Sequence, residues 1–101
     1  MEPLPVTWSR KQIEEFCVRH RIRRLSLFGS VLTPRFRPES DVDVLVDFEP
    51  GSVPGYFDLA GMELELSGMA GRKVDLRTAQ ELSRFIRDKV VETAAVQYER
   101  S

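Results

Sequence analysis

A single cysteine, Cys17, leaves no partner for an internal disulfide, which fits a reducing compartment and a fold held by packing alone. The only histidine, His20, stands three residues away, but two ligands without further partners do not make a soft-metal site, so a core cysteine and a boundary histidine are expected. Neither sign of charge dominates: fifteen basic residues face sixteen acidic ones, for a net charge of -1. A general phosphate-backbone binder needs a clear basic excess, so nucleic acid is not the expected partner. No apolar run approaches the length of a membrane span, and Met-Glu-Pro-Leu-Pro at the start lacks the basic and apolar regions of a signal peptide. A cytoplasmic protein is expected. Repeats, low-complexity tracts and dividing linkers are missing too, and 101 residues are enough to close one core, so the expectation is a single domain over 1–101.

What is present is a mixture of helical and strand periodicities. Ser9 and Gln12 have capping-box spacing, and Ile13, Phe16, Cys17 and His20 follow at helical intervals, predicting an amphipathic helix over 9–21. Leu25 to Phe28 reads as a strand stopped by the turn Gly29-Ser30, and 31–40, with Pro34 and Pro38, as a loop with room for one helical turn. Asp41 to Phe48 alternates strictly. Asp41, Asp43, Leu45 and Asp47 fall on one strand face, and Val42, Val44, Val46 and Phe48 on the other, which must be buried.

Phe57 to Met69 carries Leu59, Met62, Leu66 and Met69 at helical spacing, with Gly68 and Gly71 as terminators. The methionine stripe suits a core face, and equally an adaptable partner or homo-oligomer surface. Lys73 to Arg77 is a third short strand that sets Asp75 opposite Val74 and Leu76. From Thr78, a plausible cap, to Tyr98 most of the chain reads as helix, with Ala95 to Tyr98 open to a small edge strand instead. The fold class is therefore α/β (α+β), a small mixed sheet flanked by helices.

The chemistry concentrates in two places. Asp41 and Asp43, two apart on a strand, point the same way with α-carbons roughly 6.6 Å apart, close enough to bracket a pair of Mg²⁺ ions. Mg²⁺ takes one or two protein carboxylates and completes its shell with water and substrate phosphates, so few acids suffice. Gly29-Ser30 is the complementary half, because a residue without a β-carbon lets phosphate oxygens reach the backbone and the Ser30 hydroxyl can donate. The P-loop spacing is missing, which removes the ATPase reading of that turn. Asp75 joins the acids if the strands pair in register. Asp47, roughly 13 Å along the strand from Asp43, and Glu49 read as surface. Arg19, Arg21, Arg23 and Arg24 could meet an acidic partner, and are equally explained as a solvated helix end and strand start.

Leu27-Phe-Gly-Ser30, a loop, then Ser40-Asp-Val-Asp-Val-Leu-Val46 and the later Arg72-Lys-Val-Asp-Leu76 resemble, in order, the signature of the DNA polymerase beta-like nucleotidyltransferase superfamily. The resemblance is to its minimal nucleotidyltransferase (MNT) group and spans nearly the whole chain. It implies the nucleotidyltransferase fold, with Gly29, Ser30 and Ser40 binding the nucleotide. It further implies that Asp41, Asp43 and Asp75 are the catalytic, metal-ligating acids for two Mg²⁺ ions and ATP. Many such domains are antitoxins paired with HEPN toxins, so AMP transfer to a tyrosine hydroxyl of a HEPN-type toxin, in a type VII-like toxin–antitoxin pair, is what the resemblance implies. One departure stands out. Many members carry arginine and glycine three and four residues after the turn serine, where this chain has Thr33 and Pro34. Arg35 or Arg37 could reach the triphosphate instead; otherwise the alternative is a catalytically weak or inactive antitoxin that neutralises its partner by binding.

Overall fold

Helix α1, Arg10–Arg19, starts where the sequence places a cap: Ser9 accepts from the Gln12 backbone while the Gln12 side chain accepts from the Ser9 backbone, a complete capping box. The computed structural model describes residue 6, residues 8–52 and residues 54–100. The helix ends sooner than periodicity predicts, because Arg21 adopts a left-handed conformation with φ 55° and turns the chain into strand β1, Ile22–Phe28. The strand thus begins three residues before Leu25, where the sequence reading starts it. After β1 come a 3-10 turn, Gly29–Leu32, and strand β2, Val42–Phe48. Helix α2, Tyr56–Ala70, leads to strand β3, Val74–Thr78, and a second 3-10 turn, Ala79–Glu81. Helix α3, Arg84–Thr93, and strand β4, Ala95–Glu99, complete the described chain.

Two helix boundaries correct the sequence reading. Gly68 lies inside α2, and only Gly71, left-handed at φ 72°, ends it. Thr78 caps no α-helix: it closes β3, and Ser83 caps α3 by accepting from the Phe85 backbone. The segment 95–98 takes the strand alternative.

The sheet order is β3-β2-β1-β4, with β2 parallel to β3 and antiparallel to β1, and β4 antiparallel to β1. The alternating valines of β2 are buried as expected and pack with Phe16, Cys17, Leu25, Leu27 and Leu66 in the core cluster under α1 and α2. Met62 and Leu66 belong to that core, and Leu59 and Met69 pack partly buried against it. Leu66→Ala is expected to cost about 2–5 kcal/mol in urea unfolding, the range for deleting a buried leucine side chain.

Edge strand β3 is protected by α2. Ser67 Oγ accepts from the Val74 N–H at 2.9 Å and Glu63 from the Leu76 N–H at 2.7 Å, so donors an edge strand would leave open are satisfied by helix side chains. Ser67→Ala is expected to lower stability by roughly 1 kcal/mol, measured by urea unfolding, as the Val74 donor loses its acceptor. The arginines singled out in the sequence are largely spent within the fold: Arg19 and His20 pair with Glu65, Arg23 with Asp47 and Arg24 with Glu99.

Candidate active site

Topology brings distant residues to one end of the sheet. β1 runs antiparallel to β2, so the end of β1 meets the start of β2; β3 is parallel to β2, so its start lies there as well. Phe28 pairs with Asp43, and Asp43 pairs with Asp75. Asp41 sits just ahead of β2, one residue outside the strand to which its alternation assigned it. Gly29, following Phe28, is thereby pressed against Asp43. Its φ is 78°, and a β-carbon added there would collide with Asp43 Oδ2 and stand 3.3 Å from Cγ. Glycine is needed at this point for backbone conformation and for space together.

The carboxylates feel one another. The Asp43 carboxyl is raised above its ordinary range, first by burial, then by the negative charges of Asp75 and Asp41, while Arg77 opposes the shift. An acid that loses charge to its neighbours in this way is relieved by a cation. Asp41 lies 3.8 Å from the Lys73 ammonium, and Asp75 is 3.2 Å from Arg77. Among the described residues, no three of His, Cys, Asp and Glu are drawn together tightly enough to hold a metal ion by themselves. The donor set nevertheless suits Mg²⁺, which needs only one or two protein carboxylates when phosphates supply the rest. Cys17, by contrast, is buried in the core with its thiol pushed up to about 12 by burial, as an inert core residue.

The loop after the turn explains what Thr33 does. Its backbone N–H and its hydroxyl both donate to the Ser30 carbonyl, each at 2.9 Å, and its hydroxyl oxygen accepts from the Arg35 N–H. Thr33 therefore fixes the Gly29-Ser30 turn rather than reaching outward. Ser40 closes the next turn, its hydroxyl accepting from the Arg37 N–H at 3.1 Å. Arg72 lies over the Phe36 ring at 4.7 Å and donates to the Arg37 carbonyl, tying this loop to the start of β3. Sequence reasoning named Thr33 only as a departure from the family pattern and Arg72 only as part of a motif, because the contacts they make depend on loop packing. Arg35 and Arg37 are exposed and form no ion pair among the described residues.

The carboxylates stand, partly exposed, on the sheet face opposite the valines of β2. Farther along the same face, Arg24, Ser26, Leu45, Asp47, Val91 and Val96 line a cleft of about 50 Å³ beneath α3, far too small for a nucleotide.

Comparison with known proteins agrees with this geometry. Over 70% of this chain and 67% of the relative, the sequence is 34% identical to the protein adenylyltransferase MntA of Thermococcus cleftensis. A chain of solved structure assigned as a minimal nucleotidyltransferase shares 35% identity over 84% of this chain and 85% of its own, with a TM-score of 0.69. A chain from the complex of tri-AMPylated Shewanella oneidensis HEPN toxin with MNT antitoxin shares the fold at 16% identity and a TM-score of 0.64, covering 90% of this chain and 70% of that one. The sequence model of the nucleotidyltransferase domain matches residues 9–96, and with the Gly29 turn seated on Asp43 at the head of a mixed sheet, the chain belongs to the nucleotidyltransferase domain family.

Proposed function

We propose that this chain, as a single minimal domain over 1–101, is a cytoplasmic Mg²⁺-dependent protein adenylyltransferase. It moves AMP from ATP onto a tyrosine hydroxyl of a HEPN-type toxin and serves as the antitoxin of a type VII-like pair. The observation that carries the reading is the contact between Gly29 and the half-buried Asp43 carboxylate, with Asp75 beside it on the next strand. The toxin partner is supported by the HEPN complex among the structural neighbours, and the transferred group by the adenylyltransferase relative.

Asp41, Asp43 and Asp75 would hold Mg²⁺, which when bound supplies charge neutralisation at the α-phosphate and at the departing pyrophosphate. The chain's own residues do the positioning. Gly29 leaves room for the Asp43 carboxylate, and Thr33 holds the Ser30 carbonyl so that the turn keeps its shape. Ser30 and Ser40 flank the loop through which the triphosphate would pass, with Arg35 and Arg37 exposed nearby. The acceptor hydroxyl gives its proton to water as its oxygen attacks the α-phosphorus, the bond from the α-phosphorus to the bridging oxygen breaks, and pyrophosphate carries away the leaving charge.

The test is transfer of label from α-labelled ATP with Mg²⁺ to a co-expressed HEPN partner. Wild type is expected to label the partner; Asp41→Ala is expected to reduce labelling at least about a hundredfold, the scale of losing preorganised charge stabilisation. A second reading, an antitoxin that acts by masking, is favoured by a specific feature: Phe57 and Phe85 are 87% and 93% exposed, and α3 buries none of its side chains. Large apolar side chains left in water suit a partner surface. A stable complex that carries no label at all would select this reading over the enzyme.

A further inference from the structure

We propose that Arg77 is a positioning residue that engages the Asp75 carboxylate until a divalent cation takes it, and that Glu81 then keeps the guanidinium. The inference rests on the metal-site reading above. Arg77 lies two residues after Asp75 on β3, on the same strand face, and its guanidinium is shared between two acids: Nη2 is 3.2 Å from Asp75 Oδ2, and Nη1 is 3.6 Å from Glu81 Oε2. Glu81 sits in the 3-10 turn that follows the strand, four residues on, so a small rotation of the arginine exchanges one partner for the other.

Two further observations fit the arrangement. Asp75 pairs in register with Asp43, yet the three acids do not close into a ready-made metal cluster among the described residues. With Oδ2 hydrogen-bonded to Arg77, one oxygen of the Asp75 carboxylate is already engaged before a cation arrives. Arg77 also compensates the charge on Asp43, so without metal it steadies a site that would otherwise bring like charges together. All these groups are partly exposed, and an exposed ion pair of this kind is weak enough for a divalent ion to displace.

The experiment uses Mn²⁺ alone as the probe, with binding followed by calorimetry and, independently, by the shift in unfolding temperature. Arg77→Gln is expected to bind Mn²⁺ about three- to tenfold tighter than wild type, the span of one exposed ion pair together with loss of a nearby positive charge. Glu81→Gln is expected to bind about twofold more weakly, because the arginine loses its alternative acceptor. The deciding measurement is the gain from Arg77→Gln in an Asp75→Asn background. If Arg77 acts through Asp75 the gain disappears; if it persists, Arg77 acts only as a distant charge and the proposal is wrong. Unchanged or weaker Mn²⁺ binding in Arg77→Gln overturns the proposal as well, provided Asp43→Asn still weakens binding. Should Asp43→Asn leave Mn²⁺ binding intact, the metal-site reading fails first and the proposal goes with it.

Discussion

Asp43→Asn is expected to abolish transfer and, in metal-free buffer near neutral pH, to unfold at a higher temperature than wild type. Burial and the charges of Asp75 and Asp41 raise the folded carboxyl of Asp43 above its ordinary range. A raised carboxyl binds its proton more tightly in the folded state. Its contribution to stability is therefore fully present below the unfolded value and is lost as pH rises through the folded one. At neutral pH the ionised Asp43 is a cost to folding, and asparagine removes it. The advantage of the variant should fade in acid, where wild-type Asp43 is itself protonated. Added Mg²⁺ should reverse the order by stabilising wild type and leaving the Asp43→Asn variant unmoved. Thermal unfolding with and without Mg²⁺ across this pH range, beside the labelling assay, checks all three expectations. A lower unfolding temperature for Asp43→Asn throughout would show that Asp43 is a structural acid. Loss of transfer is expected to be at least about a hundredfold.

Gly29→Ala is the second substitution with a large expected effect, and Gly51→Ala is its internal standard. Both glycines have φ 78°, so alanine at either position carries a left-handed backbone strain of about 1–2 kcal/mol. Their surroundings differ. Nothing lies within 4 Å of a β-carbon added at Gly51, whereas at Gly29 it would strike the Asp43 carboxylate. The two variants should therefore lose comparable stability from strain, with only Gly29→Ala displacing Asp43. Transfer by Gly51→Ala is expected to match wild type at a temperature where it remains folded. Transfer by Gly29→Ala is expected to fall at least about tenfold further, the scale of an orienting contact to a metal ligand. Equal activity in the two variants would mean that the turn does not set the position of Asp43.

Much of this was legible in the chain because it is written in local rules. The capping box at Ser9 and Gln12, the alternation from Val42 to Phe48 and the turn at Gly29-Ser30 each depend on residues a few positions apart, and each appears where its pattern placed it. Misreadings arose where neighbours in space overrule neighbours in sequence. Gly68 stays helical because the helix continues to Ala70 and packs there on the core; the left-handed turn that ends it is made by Gly71. Of the two readings the sequence left open for Ala95 to Tyr98, helix or edge strand, the strand is the one formed, because β1 has an open edge to pair with. Leu45, on the polar face of β2, is 8% exposed because α3 and β4 shelter part of that face, which no alternation pattern reveals.

By itself the sequence determined the kinds of element, the absence of cross-links and the candidate acids, because residue type and period act along the chain. Only the tertiary structure decided that Asp75 stands beside Asp43, since that register depends on a parallel pairing made through α2. It also decided that Thr33 supports the Gly29-Ser30 turn, that Gly29 is confined by Asp43 rather than by its turn alone, and that Arg77 divides itself between Asp75 and Glu81. Such relations are distances between residues far apart in the chain, and they exist only once the sheet has brought the ends of β1, β2 and β3 together.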